Sequence, residues 1–298
     1  MKRLNLVYWT LRDNYGDYLS PFIVHNLSGL NIQQKDVAYL QKPWKSVLQD
    51  IFLHGKLNLR LSHRFLPFEK KNYVCIGSIL GQGNKNSHYW GTGFLRKGKC
   101  RGFVYAVRGY LSRDCILNCC KEGIVKIVGD LPVGDPALLL PMFVQPANYK
   151  KYQLGIIPHY TEYEIFKKKY GHKYFIINMA SSDVLRITEE ITSCEYILST
   201  SLHGLIVPHA YNIPALWIEH SELQPGSDGF KFKDYFSSIG ISYEPFREIS
   251  NILDDESGII SFFQKNMKIA LPQVDMSSLR NKLLGAAPFP LKDEFRNI

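Results

Sequence analysis

The sequence predicts an α/β protein with two domains, each built around a parallel β-sheet. Short runs of continuously apolar residues alternate with segments of helical periodicity, which is typical of strands buried on both faces between helices. At 298 residues the chain is long for one core and sufficient for two domains of about 150 residues each. A stretch rich in glycine and proline, followed by polar residues, separates the two halves.

The predicted elements follow this alternation along the first half. Strands are expected at residues 4–9, 37–40, 73–77, 89–94, 103–107 and 125–128, with helices near 18–27 and 111–120. In the second half we expect strands at 154–158, 174–178, 196–199 and 215–218, and helices at 162–170, at 183–194 and from about residue 202.

Residues 134–152 are the predicted linker, which gives an N-terminal domain of residues 1–145 and a C-terminal domain of residues 146–298. We interpret the pair as two Rossmann-like domains that face each other across a cleft, the arrangement called GT-B. The tail after Pro272 lacks a clear strand. We expect it to pack on the outside and to cross back to the first domain.

The strand-to-helix turn at residues 199–203 is the most informative local feature. In α/β folds such a turn directs the first backbone N–H groups of the helix, and the positive end of its dipole, out of the carboxyl edge of the sheet. The hydroxyls of Ser199, Thr200 and Ser201 are expected to add donors, and His203 falls in the first helical turn. The segment predicts a site for a small phosphorylated anion.

The net charge of +9 predicts an acidic partner: a phosphorylated small molecule, an anionic membrane surface or nucleic acid. The chain has no RNA-binding aromatic motif, zinc finger or lysine/arginine block, so we expect no nucleic-acid binding. Part of the excess lies at residues 42–71, where apolar residues recur at helical spacing. This segment is either a basic amphipathic helix on a bilayer or a helix covering the sheet with a basic outer face.

The sequence also indicates a cellular compartment. No run of about 18 apolar residues suggests a membrane span, and the first residues lead into a strand without a signal-peptide pattern, so a cytoplasmic location is expected. Six cysteines without a C-x-x-C pair predict reduced, mostly buried thiols. No cluster of carboxylates and histidines suggests a metal ion.

Several polar residues follow predicted strands, where ligands of α/β proteins bind. Asn14, Gly16 and Asp17 come after the first strand, and Asp17 is expected either to cap the following helix or to face a ligand. Ser78 and Arg108 end two further strands of the first half. His159 follows the first strand of the second half, as a residue lining the cleft.

Eight segments together resemble the polysaccharide pyruvyltransferase family, in particular its bacterial branch that acts on hexoses of exopolysaccharide or capsule repeat units. They are NYGDYLS (14–20), IGSIL (76–80), WGTG (90–93), AVRGYLSR (106–113), GDPALLLP (134–141), IPH (157–159), STSLHG (199–204) and FKFKDY (230–235). The resemblance implies transfer of the pyruvyl group of phosphoenolpyruvate onto two hydroxyls of one sugar, which gives a pyruvate ketal and phosphate. It implies no cofactor and no metal.

The resemblance also implies roles for individual residues. Arg108, His203 and Lys231 would hold the donor, with His203 also as a possible acid and Lys233 as the neighbour most easily confused with Lys231. Further predicted substrate contacts are Arg113, Ser201, Leu202, Ser78 and His159, with Asn14, Gly16 and Asp17 on the acceptor side. The predicted catalytic set is His203, Asp17 and Arg108.

One position departs from the wider family. Many members carry arginine immediately before the Leu-His pair, where this chain has Ser201. The donor carboxylate then needs another guanidinium, from Arg108, Arg113 or Arg12, because an arginine fork binds carboxylates in a bidentate manner.

The expected acceptor is a hexose, with galactose as first candidate, in a lipid-diphosphate-linked precursor at the cytoplasmic face of the inner membrane. A nucleotide-sugar glycosyltransferase of the same fold is the alternative, with Glu219 or Glu222 on the ribose hydroxyls. A non-catalytic protein that binds sugars or anions is the third hypothesis.

Overall fold

The computed structural model of the chain describes residues 3–10, 12–35, 71–219, 228–247, 249–254 and 258–296. The strands are β1 (Arg3–Val7), β2 (Asn31–Lys35), β3 (Asn72–Val74), β4 (Ser87–Trp90), β5 (Gly102–Ala106), β6 (Val125–Ile127), β7 (Tyr152–Ile157), β8 (Phe175–Ile176), β9 (Cys194–Ser199) and β10 (Ala215–Trp217). The α-helices are α1 (Tyr15–Ser28), α2 (Tyr110–Lys121), α3 (Tyr163–Tyr170), α4 (Val184–Thr192), α5 (His203–Ala210), α6 (Phe230–Ser238), α7 (Ile249–Leu253), α8 (Gly258–Ala270) and α9 (Met276–Gly285). Short 3₁₀ helices cover Leu80–Gln82, Pro136–Met142 and Asp293–Phe295.

The first sheet has six parallel strands in the order β2-β1-β3-β4-β5-β6. The chain moves outward from β1 to β2, returns to β3 on the other side of β1 and then continues in one direction. The order therefore reverses between β1 and β3, and in open α/β sheets ligands bind outside the carboxyl ends of the strands at such a switch point.

The second sheet repeats this arrangement with four parallel strands in the order β10-β9-β7-β8. Its switch point lies between β7 and β9. The predicted α/β class and the two parallel sheets are thus confirmed, whereas the GT-B arrangement of two domains, and the bounds 1–145 and 146–298, stay predictions.

Most predicted strands are present, with bounds shifted by a few residues. One further strand, β2, was not predicted. It is polar and only partly buried, and among the described residues it lies at the edge of the sheet and pairs with β1 alone. The strand expected at residues 37–40 and the basic segment 42–70 lie outside the described residues.

The two sheets share packing contacts. One buried cluster contains Leu6 of the first sheet, Ile197 of the second and Leu138 between them. Helix α1 follows β1 but packs on the second half, where the Tyr15 hydroxyl lies 2.8 Å from the hydroxyl of Thr188 in α4. The halves are therefore joined by a continuous apolar core as well as by the chain.

The tail crosses back to the first half, as predicted. The indole N–H of Trp90 donates to the carbonyl of Leu283 in α9 at 2.8 Å. Phe289 packs edge-on against Trp90 and Tyr73, and the backbone N–H of Lys292 donates to the carbonyl of Leu27. The tail is not an outer cover, since it contributes a helix with buried leucines to the core.

The described residues also bear on the thiols and on membrane spans. Five cysteines are buried and Cys120 is exposed, which confirms that the thiols are mostly buried, and all six are free. Within the ranges given above, none of the helices combines the length and hydrophobicity that a bilayer-spanning segment needs.

Candidate active site

A cavity of 470 Å³ lies where the switch points of the two sheets meet. It is lined from the first half by Trp9, Arg12, Asn14, Asp17, Gly77, Ser78, Ile79, Gln82 and Leu95, and from the second half by His159, Tyr160, Ser201, Leu202, His203 and Lys231. The loops after β1, β3, β7 and β9 all contribute. We call this cavity the switch-point pocket.

Asn14 and Asp17 form one polar corner of the switch-point pocket. The Asn14 side chain accepts from the backbone N–H of Gly16 at 3.2 Å and caps α1, so the cap that we considered for Asp17 belongs to Asn14. Asp17 lies in the first helical turn with its carboxyl in the pocket. Burial raises its pKa to about 7, against a hydrogen bond from Asn14 that lowers it. This carboxyl can therefore gain or lose a proton near neutrality.

Gly16 and His203 bring the two halves into contact. A Cβ at residue 16 would overlap the Nδ1 atom of His203, so only glycine leaves room for the imidazole at this point. His203 begins α5, and its Nε2 atom is buried without a hydrogen-bond partner among the described residues. Burial, together with the positive charges of Arg108 and Lys231, lowers the pKa of His203 to about 3. The ring is neutral at physiological pH.

The hydroxyls of the 199–201 turn were expected to donate hydrogen bonds to an anion, but two of them donate within the protein. Ser199 donates to the carbonyl of Ile157 at 2.7 Å, and the Thr200 hydroxyl donates to the carboxylate of Glu162. Thr200 also accepts from the backbone N–H of His159 at 2.7 Å. These two hydroxyls therefore shape the turn, and only Ser201 of the three lines the pocket.

Lys231 enters the pocket from the first turn of α6. Its Nζ lies 5.0 Å from the centre of the Phe232 ring, and burial together with Arg108 lowers its pKa to about 8. Lys233 instead forms an ion pair with Glu244 at 2.5 Å and does not line the pocket. Of the two lysines that the sequence left hard to distinguish, Lys231 is the one at the site.

Arg108 lies one layer behind the pocket wall. It is fully buried, and its Nη1 donates to the Ser78 hydroxyl at 2.8 Å, while Ser78 itself lines the pocket. Its Nε and Nη2 lie 3.0 and 2.9 Å from the Asp234 carboxylate, in an ion pair between the first sheet and α6. The guanidinium occupies the space that a side chain at residue 93 would need, which explains Gly93 in the WGTG segment.

Arg113 is not brought to the switch-point pocket; it lines another cavity between α2 and α9. Arg12 does line the switch-point pocket. Among the three arginines considered for a carboxylate, Arg12 is therefore the one whose side chain is at the surface of the site.

His159 and its neighbour complete the second-half wall. The His159 ring lies 4.4 Å from the Tyr160 ring and within hydrogen-bond distance of the Thr161 hydroxyl. Burial and the charge of Lys231 lower the pKa of His159 to about 4. The pocket therefore holds two uncharged imidazoles, His159 and His203, at neutral pH.

Sequence reasoning missed several residues of the site. Trp9, Gln82 and Tyr160 line the pocket, and Asp234 holds Arg108 from behind. Tyr160 follows the predicted His159, and Asp234 belongs to the FKFKDY segment, so both could have been found. Trp9 and Gln82 carry no comparable signal in the sequence.

Glu219 does not support the alternative hypothesis of a nucleotide-sugar glycosyltransferase, which needs a carboxylate on the ribose hydroxyls. The Glu219 carboxylate is paired with Arg247 at 3.2 Å and does not line the pocket. Glu222 lies outside the described residues. Among the residues that the structure describes, no group of three or more His, Cys, Asp or Glu side chains is placed to hold a metal ion.

The fold and the site define an α/β protein with a basic pocket at the switch points of two parallel sheets. The family model of polysaccharide pyruvyl transferase matches residues 14–222, which include every pocket residue named above except Trp9, Arg12 and Lys231. The chain belongs to this family and is a pyruvyltransferase, as the eight sequence segments predicted.

Two curated proteins are similar to the chain. One is the uncharacterized protein L143 of Acanthamoeba polyphaga mimivirus, 27% identical over 239 residues that make up 76% of this chain and 82% of L143. The other is the succinoglycan biosynthesis protein ExoV of Rhizobium meliloti (strain 1021), 25% identical over 139 residues, or 44% of this chain and 40% of ExoV. No solved structure shows a significant match to the chain.

Proposed function

We propose that this pyruvyltransferase moves the pyruvyl group of phosphoenolpyruvate onto two hydroxyls of a hexose in a lipid-linked precursor of a surface polysaccharide. Galactose is our first candidate for the hexose. The products are a cyclic pyruvate ketal and free phosphate. The observation that carries the proposal is the switch-point pocket, which brings Asp17 of the first half together with His203 and Lys231 of the second.

The donor is an anion with two charged ends, and the pocket offers matching groups. Lys231 supplies a point charge, and Arg12 supplies a planar guanidinium that fits a carboxylate. His203 lies at the start of α5, where the helix dipole favours a phosphate, and its buried Nε2 has no hydrogen-bond partner within the described part of the chain. We assign the phosphate to His203 and Lys231 and the carboxylate to Arg12.

The pKa values distribute the proton transfers. His203, with its pKa near 3, is a neutral hydrogen-bonding group and not the acid of the free enzyme. Asp17, with its pKa near 7, can accept a proton from a sugar hydroxyl. Lys231, with its pKa near 8, holds a proton beside the donor.

The reaction balances with no further reagent. The methylene carbon of phosphoenolpyruvate gains a proton and becomes a methyl group, while the neighbouring carbon becomes electrophilic and is attacked by the first hydroxyl. The bond from that carbon to the phosphate oxygen breaks, and the second hydroxyl closes the ring. The two hydroxyls of the diol lose two protons in total. One proton balances the proton that the methylene carbon gains, and the other leaves with the phosphate.

Charge is our reason for placing the acceptor on a lipid diphosphate. The net charge of the chain, +9, favours an anionic acceptor and an anionic membrane surface. The similarity to ExoV, a succinoglycan biosynthesis protein, agrees with a role in polysaccharide synthesis.

The test is phosphate release from phosphoenolpyruvate in the presence of a lipid-linked or aryl galactoside, with mass spectrometry of the sugar. We expect sugar-dependent phosphate release and a mass gain of one pyruvate ketal. His203→Ala should lower kcat/KM at least about 10²-fold, the size of effect that loss of a preorganised donor produces. His172→Ala, which changes an exposed histidine away from the pocket, is the matched control.

Two results would count against the proposal. Full activity of His203→Ala would remove this residue from the mechanism. Thermal stabilisation of the protein by a nucleoside diphosphate, with none by phosphoenolpyruvate, would favour the glycosyltransferase instead.

A further inference from the structure

A second cavity, of 930 Å³, lies at the carboxyl edge of the first sheet beside β5 and β6. Much of its polar and aromatic lining comes from the start of α2, the loop after β6 and helix α9, with Tyr110, Arg113, Asp130, Ser278 and Lys282. Its volume falls within the range of small-molecule sites, roughly 300–1,000 Å³. We call it the α2–α9 cavity. Nothing in the reaction described above uses it.

Two features of the α2–α9 cavity indicate a built site. The Nε atom of Arg113 is buried and has no hydrogen-bond partner among the described residues. The loop at residues 128–133 lines the cavity, and within it Leu131, whose side chain packs in the core of the first sheet, has a φ of 51°, in the left-handed region that bulky residues rarely adopt. Strained backbone of this kind persists where its surroundings fix it, and it clusters at ligand sites.

The charges of the lining indicate a neutral polar ligand. The two positive charges of Arg113 and Lys282 are balanced by the two negative charges of Asp130 and Asp275. The described lining therefore has no net charge and offers both hydrogen-bond donors and acceptors. The switch-point pocket differs, because there Arg12 and Lys231 face the single carboxylate of Asp17. An anion would select the switch-point pocket, and a polyhydroxylated ligand suits the α2–α9 cavity.

An aromatic surface supports the same ligand class. Tyr110 is 48% exposed, and the guanidinium carbon of Arg113 lies 5.9 Å from the centre of its ring. Tyrosine presents an apolar face and a polar tip, which matches the apolar faces and hydroxyl rim of a pyranose. Gly285, Ala286 and Ala287 contribute small side chains to the lining.

Helix α6 relates the two cavities. Lys231 in its first turn lines the switch-point pocket, and Ser238, its last residue, lines the α2–α9 cavity. Seven residues of α-helix span about 10 Å at 1.5 Å per residue. Both cavities also lie at the carboxyl edge of the first sheet, and the distance between them is comparable to the length of a short saccharide.

We propose that the α2–α9 cavity binds neutral sugar units of an oligosaccharide acceptor, next to the hexose that receives the ketal. That this saccharide is an acceptor rests on the proposed function. It assigns Tyr110 as a stacking surface and Arg113, Asp130 and Lys282 as hydrogen-bonding groups. Arg113 thus contacts the acceptor and not the donor.

The first experiment measures binding without turnover. Saturation-transfer NMR of the full chain with lactose, maltotriose, cellotriose and raffinose should show contacts to at least one of them. Tyr110→Ala and Lys282→Ala should each raise the Kd of that saccharide about tenfold, because each variant loses one stacking contact or one or two hydrogen bonds. Both side chains are exposed, and Lys268→Ala, an exposed lysine that lines neither cavity, is the control.

The second experiment uses kinetics with two acceptors that carry the same reacting hexose, one an aryl glycoside and one an oligosaccharide. Lys282→Ala should raise the KM of the oligosaccharide about tenfold and leave the KM values of the aryl glycoside and of phosphoenolpyruvate unchanged. Absence of contact with all four saccharides, or equal binding by wild type and both variants, overturns the proposal. Saccharide contacts without any phosphate release would leave the α2–α9 site in place and refute the proposed function.

Discussion

Burial changes the protonation of Asp17 and His203 in opposite directions. It raises the pKa of the carboxyl to about 7 and lowers that of the imidazole to about 3, because in both cases the charged form loses hydration. The site therefore contains a titrating carboxyl and a neutral histidine, the reverse of what the ordinary values of the two side chains indicate. The sequence identified both positions, but it left open which residue is the acid, because burial is not visible in a motif.

The pKa values predict a bell-shaped dependence of kcat/KM on pH. If Asp17 accepts a proton, activity rises through pH 7 as its carboxylate forms, and it falls above pH 8 as Lys231 loses the charge that holds the donor. Asp17→Asn should lower kcat about 10²- to 10⁴-fold and abolish the acidic limb. Lys231→Arg, whose side chain does not titrate in this range, should abolish the alkaline limb.

Initial rates of phosphate release between pH 5 and 9.5 check this prediction. An acidic limb that persists unchanged in Asp17→Asn would show that the titrating group belongs to the donor or to another residue. His203→Gln should leave both limbs in place, since His203 does not titrate in this interval.

Helix α6 carries two ion pairs that differ in burial. Asp234 and Arg108 have fully buried side chains, whereas Lys233 and Glu244 are 42% and 65% exposed. Asp234 also accepts from the backbone N–H and the hydroxyl of Ser112, each at 2.7 Å. The Asp234 carboxylate thus ties α6 to the start of α2 and to the strand end that carries Arg108.

Asp234→Asn should lower the free energy of unfolding by about 3–5 kcal/mol, because it leaves the Arg108 charge buried without its partner. Lys233→Ala on the same helix should cost about 0–1 kcal/mol, as exposed pairs do. Unfolding in urea, followed by tyrosine and tryptophan fluorescence, compares the two variants. Equal shifts of the midpoint would show that the buried pair does not stabilise the contact between the halves.

Except for the polar strand β2, the strands of both sheets were predictable because burial on both faces produces continuous apolar runs. Helices α6, α8 and α9 were not predicted. Their sequences mix aromatic, polar and apolar residues, and their helical form depends on packing against the sheets and the tail. The site shows the same limit. Its strand-end residues were identified from their order along the chain, whereas only tertiary contacts show that Asp234 lies behind Arg108 and that Arg113 lies away from the switch-point pocket.

The C-terminal tail stabilises the first sheet. Phe289 follows helix α9 and is buried against the first sheet. The centre of its ring lies 5.3 Å from that of Trp90 and 5.9 Å from that of Tyr73. The first sheet is therefore covered in part by residues that follow the second sheet in the chain. Sequence length and the linker predicted two domains, but the shared core could not be inferred from either.

Phe289→Ala should destabilise the protein by about 3–5 kcal/mol, the usual cost of removing a buried aromatic ring. Phe295→Ala, which removes a partly exposed ring packed on Phe143, should cost less. Thermal unfolding of the two variants decides the matter. A larger loss for Phe295→Ala would contradict the assignment of Phe289 to the core of the first sheet.

The contact between residue 16 and the ring of His203 constrains how this protein can diverge. A methyl group on the glycine would displace the imidazole, so a change at the first position is tolerated only together with a smaller side chain at the second. The two positions are far apart in the chain, and the contact between them is steric. In an alignment of relatives they should vary as a pair, with a non-glycine residue at one matched by the absence of histidine at the other.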